Sequence, residues 1–167
     1  YSTEDVASTV DALSAGLLSL GVSGHNFTPE SSDKIAIMSS NRPEWVFTDL
    51  ACQQIGAILV PLYPTTNPIE VEFILNDAAV GYVFVSNLEL YEKVKSVASK
   101  VPSIKGIYTF DAIEGAVHWT SLTNAATPAL LDQVASLKKT IPVTQLATII
   151  YTSGTTGVPK GVMLSHQ

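Results

Sequence analysis

Only one of the 167 residues is cysteine, so no internal disulfide can form. Cys52 sits in an apolar helical stretch, where a thiol is a small core residue ahead of a nucleophile, and a lone unpaired cysteine suits a reducing compartment such as the cytoplasm. Positive charge is scarce: nine Lys and Arg stand against fifteen Asp and Glu, a formal charge of −6. Apart from the Lys138 and Lys139 pair the basic residues are scattered, leaving no stripe to track a nucleic-acid backbone. No apolar run approaches the roughly 20 residues that cross a bilayer; the longest, Ile55 to Tyr63, contains a Gly and a Pro. Membrane association is thereby reduced to peripheral contact. His25 and His118 have no Cys or carboxylate at metal-ligand spacing, so no metal site is expected. The chain starts at Tyr1 without a leader pattern, and both ends are expected to be boundaries within a longer protein, any targeting segment having been removed.

What is present is a chain 46% apolar and 14% charged, the composition of one soluble globular domain. At this length folding can bury roughly 70% of the surface of the unfolded chain, so no disulfide or metal staple is required.

Ser2 with Asp5 three residues on forms a capping box, and Val6, Val10, Leu13, Leu17 and Leu20 recur at helical spacing before Gly21, a stop residue. A helix over residues 3–20 is predicted, then a loop over 22–32. From Lys34 short apolar runs alternate with periodic segments. The runs are 34–39, 57–62, 80–85, 104–110 and 147–151, each too short for a typical helix and rich in Val, Ile and aromatics, as in strands buried on both faces. Between them helices are predicted. Asn41 caps the first, with Val46, Phe47, Leu50, Ala51 and Ile55 as its inner stripe and Gly56 as its end. Asn67 and Pro68 open the second, with Val71, Ile74, Leu75 and Ala78 inward. Leu90, Tyr91, Val94, Val97 and Ala98 line the third. A last helix starts at Thr127 and Pro128, turns Leu130, Leu131, Val134 and Leu137 inward, and ends on Lys138 and Lys139. Repeated strand, helix, strand predicts an open, mostly parallel α/β sheet with right-handed crossovers and helices on both faces. Trp45 and Trp119 read as packing aromatics.

The segment that carries chemistry is Tyr151-Thr152-Ser153-Gly154-Thr155-Thr156-Gly157-Val158-Pro159-Lys160-Gly161. After a buried strand it offers two glycines able to take positive φ, several hydroxyl donors, one lysine and no carboxylate, the parts of an anion cradle. A plain surface linker would not be pinned between two apolar runs. A Walker-type loop needs Gly-Lys-Ser/Thr opening a helix; here Pro159 stands five positions after Gly154 and strand-like Val162, Met163 and Leu164 follow. The run 161–166 is expected to fold back beside 147–151 as a hairpin, leaving a free edge through which copies of the chain self-associate, or else a disordered loop and last strand.

The segment YTSGTTGVPKG resembles, without departure, the signature loop of the acyl-CoA synthetase branch of the adenylate-forming enzymes. Residues 39–65 and 73–85 are most similar to the long-chain fatty acid:CoA ligases. The resemblance implies that residues 1–167 are the N-terminal portion of an AMP-binding domain, ending just after the phosphate-binding loop. It implies ATP, Mg²⁺ and coenzyme A as cofactors, a fatty acid or other carboxylic acid as substrate, and a two-step reaction through an acyl-adenylate. Carried over by position, Thr152, Ser153, Thr155 and Thr156 hydrogen-bond the β- and γ-phosphates, Gly154 and Gly157 let the backbone close on them, and Lys160 steadies the leaving pyrophosphate. His166 is a candidate neighbour of the active site. The family's downstream motifs for adenine, ribose, metal and acyl chain do not occur before Gln167, so the chain alone is expected to be inactive. The competing reading is a stand-alone anion- or nucleotide-binding module without catalysis.

Overall fold

In the computed structural model, which describes residues 1–152 and 157–167, the chain opens with helix α1 (Thr3–Ser19). Its capping box forms as expected: the Asp5 N–H donates to Ser2 Oγ at 3.1 Å and the Ser2 N–H to Asp5 Oδ2 at 2.8 Å. Strand and helix then alternate through β1 (Lys34–Met38), α2 (Pro43–Ile55), β2 (Ile58–Leu62), α3 (Pro68–Asp77), β3 (Tyr82–Val85), α4 (Leu88–Ala98) and β4 (Gly106–Thr109). After β5 (Val117–His118), α5 (Thr120–Thr123) and α6 (Pro128–Leu137), the chain returns as β6 (Leu146–Thr152) and β7 (Lys160–Ser165). The sheet order is β5-β4-β3-β1-β2-β6-β7, parallel throughout except for the antiparallel pair β6·β7.

Strand alternation divides the core in two. Ile35, Ile37, Leu59, Tyr82 and Phe84 face α1, α2 and α6, whereas Ala36, Met38, Val60, Val83 and Val85 face α3 and α4. This is the predicted two-faced sheet. Three local expectations fail. The N-cap of α2 is Arg42 rather than Asn41: a residue before proline is driven extended, here φ −159° and ψ 160°, so the helix begins at Pro43 without a side-chain cap. The inner stripe of α2 is also narrower than its sequence: Phe47, Ala51 and Ile55 are buried, while Val46 and Leu50 are 47% and 37% exposed. On α6 only Val134 is fully buried, and Leu131 faces out. β5 and α5 are too short to leave a periodic signal.

Cys52 is fully buried, and burial pushes its thiol far above the ordinary range. His25 faces Asp33 at 2.7 Å, and the ring nitrogens of His118 lie 2.7 Å from Thr120 Oγ1 and 2.8 Å from the Phe110 carbonyl oxygen.

Candidate functional site

The C-terminal ends of the parallel strands lie along one edge of the sheet, where ligands bind in open α/β folds. Two places on that edge are built differently. At β1 and β3 the chain leaves on opposite faces, through α2 and α4, which normally opens a crevice. Arg42 occupies it. Its guanidinium donates to both carboxylate oxygens of Glu44 at 2.7 and 3.0 Å, to Asp111 at 2.9 Å and to the Ser86 carbonyl at 3.3 Å, and lies 5.5 Å from the centroid of the Phe110 ring. The hydrogen bonds from Arg42 hold the Glu44 carboxyl below its ordinary range. This crevice is closed by structure.

The second place is the turn from β6 to β7. The predicted hairpin forms, with Thr152 opposite Lys160 and Tyr151 opposite Gly161. Residues directly opposite in an antiparallel pair share a face, so the Thr152 hydroxyl and the Lys160 ammonium frame the mouth of the turn together. Both are exposed. Gly157 adopts φ +81°, with open space where a Cβ would stand, a left-handed conformation that favours glycine. Ser153, Gly154, Thr155 and Thr156 lie outside the described residues. The base of the turn is fixed from α3: Tyr151 donates its hydroxyl to Asp77 at 2.5 Å, and burial together with the Asp77 charge keeps that hydroxyl protonated well above its ordinary range. Gly161 lets the Tyr151 ring pass close by, since a Cβ there would meet Tyr151 Cζ at 3.1 Å and Ile149 Cγ2 at 2.7 Å.

Beside the turn runs a cleft of about 390 Å³, walled by Thr152 and Pro159 on one side and by Tyr63, Thr65, Thr66 and Glu70 on the other. The second wall was missed in the sequence. Its signal is position: residues just after β2 must reach the same edge as residues just after β6, because β2 and β6 are parallel neighbours. Lys93 of α4 fastens that wall by donating to the Pro64 carbonyl at 2.6 Å. Lys160 is the one basic residue of segment 151–161, which contains no Asp or Glu, and Glu70 stands on the facing wall of the cleft. His166 is not brought to the turn: it follows the far end of β7, where its N–H donates to the Gln145 carbonyl at 3.1 Å.

The fold and hairpin define a class, an open α/β sheet whose last two strands enclose a Ser/Thr/Gly-rich turn at the C-terminal edge. Comparison with known proteins sharpens it. The family model described as AMP-binding enzyme matches residues 1–167. The chain belongs to the AMP-binding enzyme family. It is 33% identical over 166 residues to the long-chain-fatty-acid–CoA ligase FadD15 of Mycobacterium bovis, covering 97% of this chain and 26% of that protein. It is 34% identical to the peroxisomal long chain acyl-CoA synthetase 7 of Arabidopsis thaliana, covering 97% of this chain and 23% of that one. The chain thus spans about a quarter of the length of these relatives. Among solved structures, the long-chain-fatty-acid-CoA ligase FadD1 from Archaeoglobus fulgidus superposes with a TM-score of 0.74 at 23% identity, over 97% of this chain and 29% of that one, which establishes the shared fold.

Proposed function

We propose that residues 1–167 are the N-terminal part of an ATP-dependent, AMP-forming fatty acid:CoA ligase and supply its phosphate-binding hairpin. The observation that carries this reading is the hairpin itself: the segment 151–161 turns at the C-terminal edge with Thr152 and Lys160 on one face and no carboxylate between them. In the reaction a carboxylate oxygen of the fatty acid bonds to the α-phosphorus of ATP as the bond from that phosphorus to the bridging oxygen breaks, releasing pyrophosphate. The coenzyme A thiolate then attacks the acyl carbonyl and AMP leaves. The chain's contribution is positioning and charge. Thr152, Ser153, Thr155 and Thr156 hydrogen-bond the β- and γ-phosphates, the backbone at Gly154 and Gly157 closes on them, and Lys160 steadies the pyrophosphate as it departs.

Mg²⁺ suits this edge as a companion of the nucleotide: Asp77 is engaged by Tyr151, and Glu70 is the one carboxylate lining the cleft among the described residues, so phosphates and water would complete its shell. A bound Mg²⁺ would neutralise charge on the phosphates. A buried lone thiol supports a reducing compartment such as the cytoplasm, and no helix among the described residues is long and apolar enough to cross a membrane.

The test is Lys160→Ala in an enzyme that contains this chain. A charge-assisted hydrogen bond to phosphate contributes about 1.5–3 kcal/mol, so ATP–pyrophosphate exchange should fall roughly ten- to hundredfold. An unchanged exchange rate would remove Lys160 from the site.

A further inference from the structure

The two walls of the hairpin cleft come from distant parts of the chain, and main-chain pairing joins them far from the cleft. β2, which leads into Tyr63, Thr65 and Thr66, is in register with β6 at Leu59 and Thr148, where the Thr148 hydroxyl also donates to the Leu59 carbonyl at 2.8 Å. The β6·β7 ladder continues from there to Thr152 opposite Lys160. At about 3.3 Å per residue the mouth of the turn stands roughly 13 Å beyond the joint. A two-strand ribbon held at its base moves most at its tip.

A side chain ties the tip back. Tyr151, one residue short of the mouth, packs in the core with Val71, Ile74 and Leu75 of α3 and donates its hydroxyl to Asp77, the last residue of that helix, at 2.5 Å. Its ring crosses Gly161 on the neighbouring strand, where a Cβ would come within 3.1 Å of Tyr151 Cζ, so the ring and not the backbone conformation calls for glycine there. Nearer its start, α3 reaches the cleft directly through Glu70 and Ile74. The helix is itself held: Asn76, beside Asp77, donates to the Lys100 carbonyl at 3.1 Å, and the Lys100 ammonium lies 3.2 Å from Glu72. One fixed helix therefore touches both walls.

Resting on the phosphate-binding reading of the hairpin, we propose that Asp77 is a positioning residue: through the Tyr151 hydroxyl it sets where Thr152 and Lys160 stand relative to Tyr63, Thr65 and Thr66, and so the width of the cleft that takes the β- and γ-phosphates. This role separates from general stability. Asp77 is exposed, so water solvates its carboxylate when the bond is lost, and Tyr151→Phe keeps the ring in the core and over Gly161. Loss of the bond frees the tip without unfolding what surrounds it.

The experiment is steady-state ATP–pyrophosphate exchange in an enzyme that contains this chain, with Tyr151→Phe, Asp77→Ala, Asp77→Asn and the double variant Tyr151→Phe/Asp77→Ala. Tyr151→Phe and Asp77→Ala should each raise KM for ATP roughly tenfold through misplacement of the hairpin, with KM for the fatty acid and the urea midpoint unchanged. The double variant should be no worse than either single one, because both remove the same bond. Asp77→Asn, whose side-chain carbonyl still accepts from the Tyr151 hydroxyl, should recover most of the loss. Amide hydrogen exchange at residues 160–162 should be faster in Tyr151→Phe and close to wild type in Asp77→Asn. Wild-type KM for ATP in Tyr151→Phe, additive losses in the double variant, or a matching rise in KM for the fatty acid together with a lowered urea midpoint would overturn the proposal. Lys160→Ala in the same assay separates the two readings. If it lowers exchange and Tyr151→Phe does not change KM for ATP, the positioning role alone fails; if Lys160→Ala changes nothing, phosphate binding by the hairpin fails and takes the positioning role with it.

Discussion

Arg42 shows how one side chain can occupy a place where ligands usually bind. Its bidentate pair with Glu44, the bond to Asp111 and the Ser86 carbonyl join the start of α2 to the ends of β3 and β4. Removing it leaves a partly buried carboxylate without its donors, so Arg42→Met should lower stability by about 2 kcal/mol in urea denaturation. The pH dependence has a definite sign. Glu44 titrates lower in the folded chain than its ordinary value of about 4.5, so the stability it contributes is fully present above that value and is lost as pH falls through its lowered one. The Arg42→Met variant should lose less stability than the wild type over that acid range. Cys52 makes the opposite point, a potentially reactive group silenced by burial. A disulfide reagent should modify it in the native chain only at the rate of unfolding, and at once in denaturant; prompt native reaction would contradict the packing of α2.

Among the described elements, β7 is an edge strand of the sheet. It pairs with β6 on one side only, and Val162, Met163 and Leu164 are 45%, 63% and 44% exposed, so apolar surface and an open backbone ladder coincide. The other sheet edge, β5, is two residues long and offers far less to pair with. An unpaired edge of this kind is a template for another strand, and a second copy of β7 supplies one. The chain should therefore show concentration-dependent association in size exclusion with light scattering. Met163→Lys should reduce it, since a lysine on an edge strand opposes edge-to-edge pairing. A strictly monomeric wild type at high concentration would refute this role for β7. The helices pose no such question. α3 is capped by Asn67, opened by Pro68 and buried along Val71, Ile74 and Leu75, so each local preference agrees with its place in the fold.

At the scale of the whole molecule, the chain matches about a quarter of the length of its relatives, and under the proposed function its hairpin would hold only the phosphate end of a nucleotide. The 167-residue chain should form no thioester from fatty acid, ATP and coenzyme A, and calorimetry should find ATP binding weaker than micromolar. Micromolar binding would instead favour a self-sufficient nucleotide-binding module. The sequence by itself determined the strand and helix alternation, the capping box of α1, the stop at Gly56 and the pairing of β6 with β7, because those depend on local spacing, caps and residue type. It could not determine the N-cap of α2, where the restriction that Pro43 places on Arg42 outweighed the capping preference of Asn41. Only the tertiary structure decided that Val46 and Leu50 stay partly exposed, that Tyr63, Thr65 and Thr66 face Thr152 across a cleft, and that His166 sits at the wrong end of β7 for the turn. Each of these depends on strand order. Which strands are neighbours is set by how two layers of helices cover the two faces of the sheet, a competition among long-range contacts that no window of neighbouring residues contains.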